Sequence, residues 1–292
     1  MNEPDQGVDL GLGVRLPRMG LGVGGLEPER TGAVVALAVS MGYRHVDTAQ
    51  MYGNEEEVRR GVEDSGVDPS SVFITSKVTT GRHRYDDVLR GFDVSDSRLG
   101  AGRIDLYLIH WPLPGVADYV ETWRALCRLR DDGRVRAVGV SNFGIPQLEV
   151  LAASGLPTPA VNQVELHPYF VQTELTEYHA RHGIVTEAWA PLAQGRVFDD
   201  PVLEDLASER GRTVSQIVLR WHLQAGRVVF PKSTNHVRLA QNLRLADFSL
   251  SEDEMRQVVR PQHDGRLGPR PEDVVEEMPD PRGDSVLDDR LR

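Results

Sequence analysis

Asp47 and Tyr52 stand five residues apart in the stretch GYRHVDTAQMYGNEE, residues 42–56. A carboxylate and a phenol so spaced, just past a short strand, can face one pocket. A phenol with its ordinary pKa of about 10 is a poor proton donor at neutral pH. A cation beside it, itself held by a carboxylate, turns it into a useful acid. The pair therefore asks for a lysine and a histidine elsewhere. Of the 33 Lys and Arg residues, only Lys77 and Lys232 are lysine. A coding bias toward arginine accounts for the scarcity. It gives no reason for the two that remain, because arginine replaces lysine at most solvated sites but not where a compact or titratable ammonium is needed.

The elements that must position these residues alternate along the chain. Residues 8–18 read as a small β-hairpin broken by Gly11 and Gly13. Eight short apolar runs then read as strands: 19–23, 44–47, 72–77, 104–110, 137–141, 160–164, 184–189 and 228–231. Helical periodicity fills the gaps at 28–41, 54–66, 85–99, 120–130, 145–153, 175–182, 201–210, 213–224 and 236–243, with a further helix at 251–259. Asn54 and Thr213 are placed to N-cap two of these helices. Eight alternations without a composition break predict an α/β fold, a (β/α)8 TIM barrel with an N-terminal β-hairpin and a C-terminal loop and tail. A doubly wound sheet is the alternative. Gly20, Gly22, Gly24 and Gly25 crowd the first strand, but they make an imperfect dinucleotide-binding loop.

Composition narrows the function classes. Net charge is −11, without the positive footprint that nucleic acid or an anionic membrane requires. A single cysteine, Cys127, allows no intrachain disulfide, and no apolar run is long enough to span a bilayer. The N-terminus lacks a signal-type apolar stretch. A cytoplasmic protein is expected. Residues 1–275 read as one barrel domain and 276–292 as an acidic, mobile tail. Residues 271–292 hold eight acids against three arginines, a net of −5. Residues 261–275 read as a flap over the pocket mouth.

A barrel of this kind carries its site at the C-terminal ends of the strands. Those ends supply Asp47 and Tyr52, then Lys77, then His110. Beyond them come Ser141 and Asn142, Gln163 and Glu165, Glu187 and Trp189, and finally Lys232, Ser233 and Thr234. The motifs GYRHVDTAQMYGNEE, ITSK, DLYLIHWP, VGVSNF, VNQVELHP, EAWAPLAQG and PKSTN occur in order. Together they resemble the aldo-keto reductase superfamily over roughly residues 10–270, in particular its prokaryotic 2,5-diketo-gluconic acid reductases.

The resemblance implies NADP(H)-dependent reduction of aldehydes, ketones or keto-sugars. Tyr52 would be the general acid, and Lys77, held by Asp47, would lower the phenol's pKa. His110 would orient the carbonyl and share in the proton relay, with Trp111, Leu113 and Phe143 as pocket walls. Ser141, Asn142 and Gln163 would hold the nicotinamide carboxamide, beside Asp47, and Trp189 would stack on the ring. Leu192 and Gln194 lie where a loop crosses the pyrophosphate in relatives. Lys232, Ser233, Thr234 and Arg238 would take the 2′-phosphate and Asn242 the adenine. No metal is implied, and the chain would be a monomer.

Departures from the family pattern fall on the substrate side. Gln241 stands where relatives carry Glu. The stretches 22–26 (GVGGL) and 78–82 (VTTGR) replace aromatic positions, which suggests a wider and less aromatic pocket. Arg82, His83 and Arg84 could draw an acidic substrate, although a solvated loop is the plainer reading. A non-catalytic NADP(H)-binding sensor on the same fold is the alternative function.

Overall fold

The computed structural model describes residues 7–11, 13–79, 84–115, 118–260 and 265–274. The acidic tail at 276–292, the pair Arg82 and His83, and the first part of the expected flap (261–264) lie outside the described residues.

The hairpin forms as expected: β1 (Val8–Asp9) pairs antiparallel with β2 (Arg15–Leu16). Eight parallel strands follow. They are β3 (Leu21–Gly22), β4 (His45–Asp47), β5 (Phe73–Val78), β6 (Leu106–Ile109), β7 (Ala137–Ser141), β8 (Val161–Glu165), β9 (Val185–Trp189) and β10 (Val228–Val229). Each pairs with its neighbours in chain order, and a parallel bridge between Met19 and Val229 brings the last strand back to the first. The sheet thereby curls into a barrel.

Helices α1 (Pro28–Ser40), α2 (Glu55–Asp64), α3 (Tyr85–Leu99), α4 (Tyr119–Asp131), α5 (Ile145–Ala153) and α6 (Thr173–His182) connect the successive strands from β3 to β9. After β9 come α7 (Pro201–Arg210) and α8 (Val214–Gln224), and after β10 come α9 (His236–Leu243) and α10 (Glu252–Val258).

Two caps expected from sequence come out differently. Thr213 accepts from the Gln216 backbone N–H in a full capping box. Asn54 holds the N-cap position of α2, but its side chain does not cap. It accepts from Thr48 Oγ1 at 2.7 Å and donates to the Val23 carbonyl at 3.2 Å. Both partners belong to loops at the mouth, so Asn54 ties the β3 and β4 exits together and leaves the helix end to its acidic first turn.

The twofold alternation of each strand decides which residues reach the interior. Along β5, Ile74 and Val78 pack outward against the helices, while Phe73 enters a separate inner cluster with Leu106, Leu108, Val161 and Val228. Thr75 and Lys77 continue that inward column. Leu16 of β2, fully buried, joins the inner cluster with Val14, so the hairpin plugs the N-terminal end of the barrel. Polar inward positions are thus left to the opposite end.

The glycines of the first strand acquire a steric meaning here. A Cβ on Gly20 would come within 2.6 Å of the Phe230 ring, one on Gly22 within 3.0 Å of the Phe230 carbonyl, and one on Gly24 within 3.1 Å of the Tyr52 ring. The GxGxG pattern makes room for two aromatic rings inside a barrel. It is not a phosphate loop, and the doubly wound alternative falls with it.

Candidate active site

The C-terminal mouth holds a cavity of about 680 Å³. At its floor Lys77, fully buried, donates from Nζ to Asp47 Oδ1 at 2.7 Å and to the Thr48 carbonyl at 2.9 Å. Burial pulls the ammonium's pKa down, but Asp47 first, then Tyr52 and Glu187, push it up, and the net direction is upward. Lys77 stays charged. Its Nζ lies 5.2 Å from the centroid of the Tyr52 ring. As expected, this cation pulls the phenol's pKa down, yet burial is the larger effect and leaves the phenol above its usual value.

His110 meets Tyr52 edge to face, with ring centroids 5.6 Å apart. Burial, then the charge of Lys77, hold the imidazole well below its ordinary pKa, so it is neutral. Its Nδ1 is buried and has no hydrogen-bond partner among the described residues. Trp111 lines the same cavity. Leu113 and Phe143 do not: Leu113 is fully buried against Trp111 and Val274, and Phe143 packs edge to face on Tyr119 at 5.4 Å. Their apolar bulk is used to support the wall from behind.

A polar chain crosses the barrel from the far side. Gln163 Nε2 donates to Asp47 Oδ2 at 2.8 Å and to Glu187 Oε2 at 2.9 Å. Ser141 Oγ donates to the Gln163 carbonyl at 2.9 Å. Asn142, in the left-handed region at φ 62°, donates from Nδ2 to the His110 carbonyl and to Ser141 Oγ, and accepts from Trp189 Nε1 at 2.8 Å. One asparagine therefore fixes the exits of β6, β7 and β9 relative to one another. Asparagine tolerates that backbone conformation better than most residues.

The cleft then runs toward the other expected residues. Leu192 and Gln194 border it, within a loop where Ala190, Ala193 and Gln194 all have positive φ near 50°. Such backbone costs about 1–3 kcal/mol per residue and collects at functional sites. Lys232, Ser233, Arg238 and Asn242 line the far end. Thr234 does not; it is exposed beyond the lining, because the chain turns outward from Ser233 into the Asn235 cap of α9. Gln241 is likewise outside the lining, and its carbonyl accepts from Gln216 Nε2.

Three features were not anticipated from sequence. Gly24 and Gly25 line the cleft as the 22–26 stretch implied, but a Cβ on Gly25 would come 3.3 Å from Lys232 Nζ, so this glycine also makes room for the ammonium. Phe198, in the segment after β9, and Ser215, in the first turn of α8, also line it, and only the fold shows that both face inward. The described part of the expected flap, residues 265–274, is pinned by Glu165. Its Oε1 accepts from the Leu267 N–H at 2.6 Å and its Oε2 from the Gly268 N–H at 2.8 Å, with His167 Nε2 a further 2.9 Å partner. Gly268 sits so close to Trp189 that a Cβ would approach the indole to 2.6 Å.

The architecture is that of barrel enzymes whose chemistry sits at the strand C-termini. The aldo/keto reductase family matches residues 10–260. An aldo-keto reductase of Mycobacterium sp. (strain JLS) is 47% identical over 264 residues, 90% of this chain and 96% of the relative. A glyoxal reductase of Bacillus subtilis (strain 168) is 44% identical over 270 residues, 92% and 97% of the two chains. A solved structure of a Gox0644 variant in complex with NADPH has a TM-score of 0.87 at 43% identity, covering 93% of this chain and 99% of that one. The chain belongs to the aldo/keto reductase family, and it is an oxidoreductase.

Proposed function

We propose that the protein reduces small aldehydes, ketones or keto-sugars to alcohols, with Tyr52 as the general acid. The observation that carries this reading is the buried Lys77–Asp47 pair beneath the Tyr52 ring at the cavity floor. The cofactor is NADP(H). The cleft fits it: glycines 24 and 25 leave a cradle that a Cβ would fill, Lys232 and Arg238 stand at one end, and the indole of Trp189 stands at the other. Two cations suit a 2′-phosphate, which NAD(H) lacks.

NADPH supplies the hydride. The chain's residues do the rest. His110, neutral, donates a hydrogen bond to the carbonyl oxygen and orients it. Tyr52, protonated at neutral pH, gives its phenolic proton to that oxygen as negative charge develops there. Lys77 then stabilises the tyrosinate left behind, and Asp47 keeps Lys77 from being an uncompensated buried charge, a fault that costs about 3–5 kcal/mol. Ser233, Lys232 and Arg238 would hold the 2′-phosphate, with Thr234 at the rim, and Asn242 would hold the adenine. Trp111 and the open face above Gly24 border the carbonyl's substituents. Residues 1–275 act as one domain, in the cytoplasm and as a monomer, and the single cysteine fits a reducing compartment.

The test is to mix the protein with NADPH and a panel of aldehydes and ketones in a stopped-flow instrument. Tyr52→Phe is expected to lower the reduction rate by about 10²–10⁴ while NADPH binding stays near the parent value. A Phe variant that turns over like the parent excludes Tyr52 as the acid. NADPH that binds but is never oxidised, across the whole panel, points instead to a sensor.

A further inference from the structure

Glu187 is a buried group for which the reaction above has no use. It stands directly across from Gln163 in the register of β8 and β9, and both side chains point into the barrel. Its Oε2 takes one of the two Nε2 hydrogens of Gln163, while Asp47 Oδ2 takes the other. Among the described residues its Oε1 has no partner. Charge alone therefore does not explain its presence.

The Gln163 amide is the key to it. Gln163 lines the cavity, and both of its side-chain bonds run through Nε2. The amide oxygen is left as the polar atom for the cavity. One hydrogen bond fixes a direction but leaves the amide plane free to turn about it. Two bonds from the same NH2 group, to carboxyls on different strands, fix the plane as well. Turning the amide over would place its oxygen against the Asp47 carboxylate. We propose that Glu187 is a positioning residue which, with Asp47, locks the Gln163 amide so that its oxygen faces the cavity as an acceptor for the carboxamide NH2 of the nicotinamide.

This inference rests on the reading that Gln163 holds the carboxamide. The other groups around Glu187 fit the role. Asp47 on β4 and Lys77 on β5 already form a neutral pair, and a second anion beside Asp47 would compete for Lys77. Burial first, and then Asp47, push the Glu187 carboxyl up to about 8, so at neutral pH it accepts as an uncharged acid. A glutamine at 187 offers the same kind of oxygen. A leucine does not, and an aspartate draws the carboxyl back by one methylene from Gln163.

The experiment measures equilibrium binding of NADPH and of adenosine 2′,5′-bisphosphate, which lacks the nicotinamide, to the full chain. Glu187→Leu is expected to weaken NADPH about fivefold, the worth of one internal hydrogen bond, and to leave the bisphosphate unchanged. Glu187→Gln is expected to bind both like the parent. If leucine prevents folding, Glu187→Asp is expected to show the same split. Equal losses for both ligands, or no loss for either, overturn the positioning role. Gln163→Ala separates the two ideas: if it leaves NADPH binding intact, the carboxamide assignment itself fails, whereas a loss there without one at Glu187→Leu and Glu187→Asp refutes only the inference about Glu187.

Discussion

Lys77 and Lys232 show at residue scale why arginine did not take every basic position. Lys77 has no solvent around it and delivers one compact charge to Asp47, the Thr48 carbonyl and the face of Tyr52 at once. A guanidinium is broader and would bring its own fork into a space already filled. Lys232 has its Nζ beside Gly25 at the cleft. If it neutralises the 2′-phosphate, Lys232→Met should raise the Kd of NADPH by tenfold or more and leave that of NADH nearly unchanged. Fluorescence titration with both cofactors checks this, and equal losses would remove the assignment. The scarcity of lysine made both positions visible in the sequence. The sequence placed Glu187 at a strand end but gave it no role, because its partners lie on other strands.

At the scale of elements, the site is a consequence of strand alternation. Phe73, Thr75 and Lys77 follow one inward column, and the last member reaches Asp47 at the edge of the cavity. Asp47, Ser141, Gln163 and Glu187 come to the same region in their own strands, so a period-two reading with a known strand end locates them. The glycine column of β3 is the complement: it removes side chains so that Phe230 and Tyr52 fit. The C-terminal segment was legible only as a change in composition. Its docking depends on Glu165, where burial pushes the carboxyl up but His167 and the two backbone N–H groups outweigh it and hold it below its usual value. Glu165→Ala should release residues 265–274 and speed amide exchange at Leu267 and Gly268, with α10 unaffected. Unchanged protection of those two amides would show that other contacts hold the segment.

The whole molecule divides its labour between two ends. The hairpin and an inner apolar cluster close one end, and the polar residues occupy the other. Among the described residues no helix is long and apolar enough to cross a membrane. Several histidines are buried and neutral. Burial brings His45 down to about 3 and His179 to about 4, and it holds His110 and His222 well below the usual value. In the unfolded chain these groups take up protons near pH 6.5, whereas in the folded chain they do not. The unfolded state therefore binds more protons below that pH, and stability falls as the solution is acidified from about 6.5 toward 4. A series of thermal melts should show Tm dropping through this range, because the main opposing group, Glu187 with its folded carboxyl near 8, is outweighed by four histidines. A flat Tm down to pH 4 would mean that these histidines are protonated in the native state.

By itself the sequence determined the barrel, the strand ends and the residue types gathered there, because alternation and strand termination are local properties. The likeness of its ordered motifs to the aldo-keto reductases carried the cofactor and the chemistry. Only the tertiary structure decided which partner each polar group takes. Gln163 reaches across the barrel to Asp47, 116 positions away in the chain. Asn54 leaves its helix for Thr48, Asn142 is claimed by Trp189, and Thr234 turns away from the cleft. Such choices depend on distances across the closed barrel and on burial, which raises Tyr52 against the pull of its own lysine. No local pattern encodes either quantity, since both arise only when the last strand meets the first.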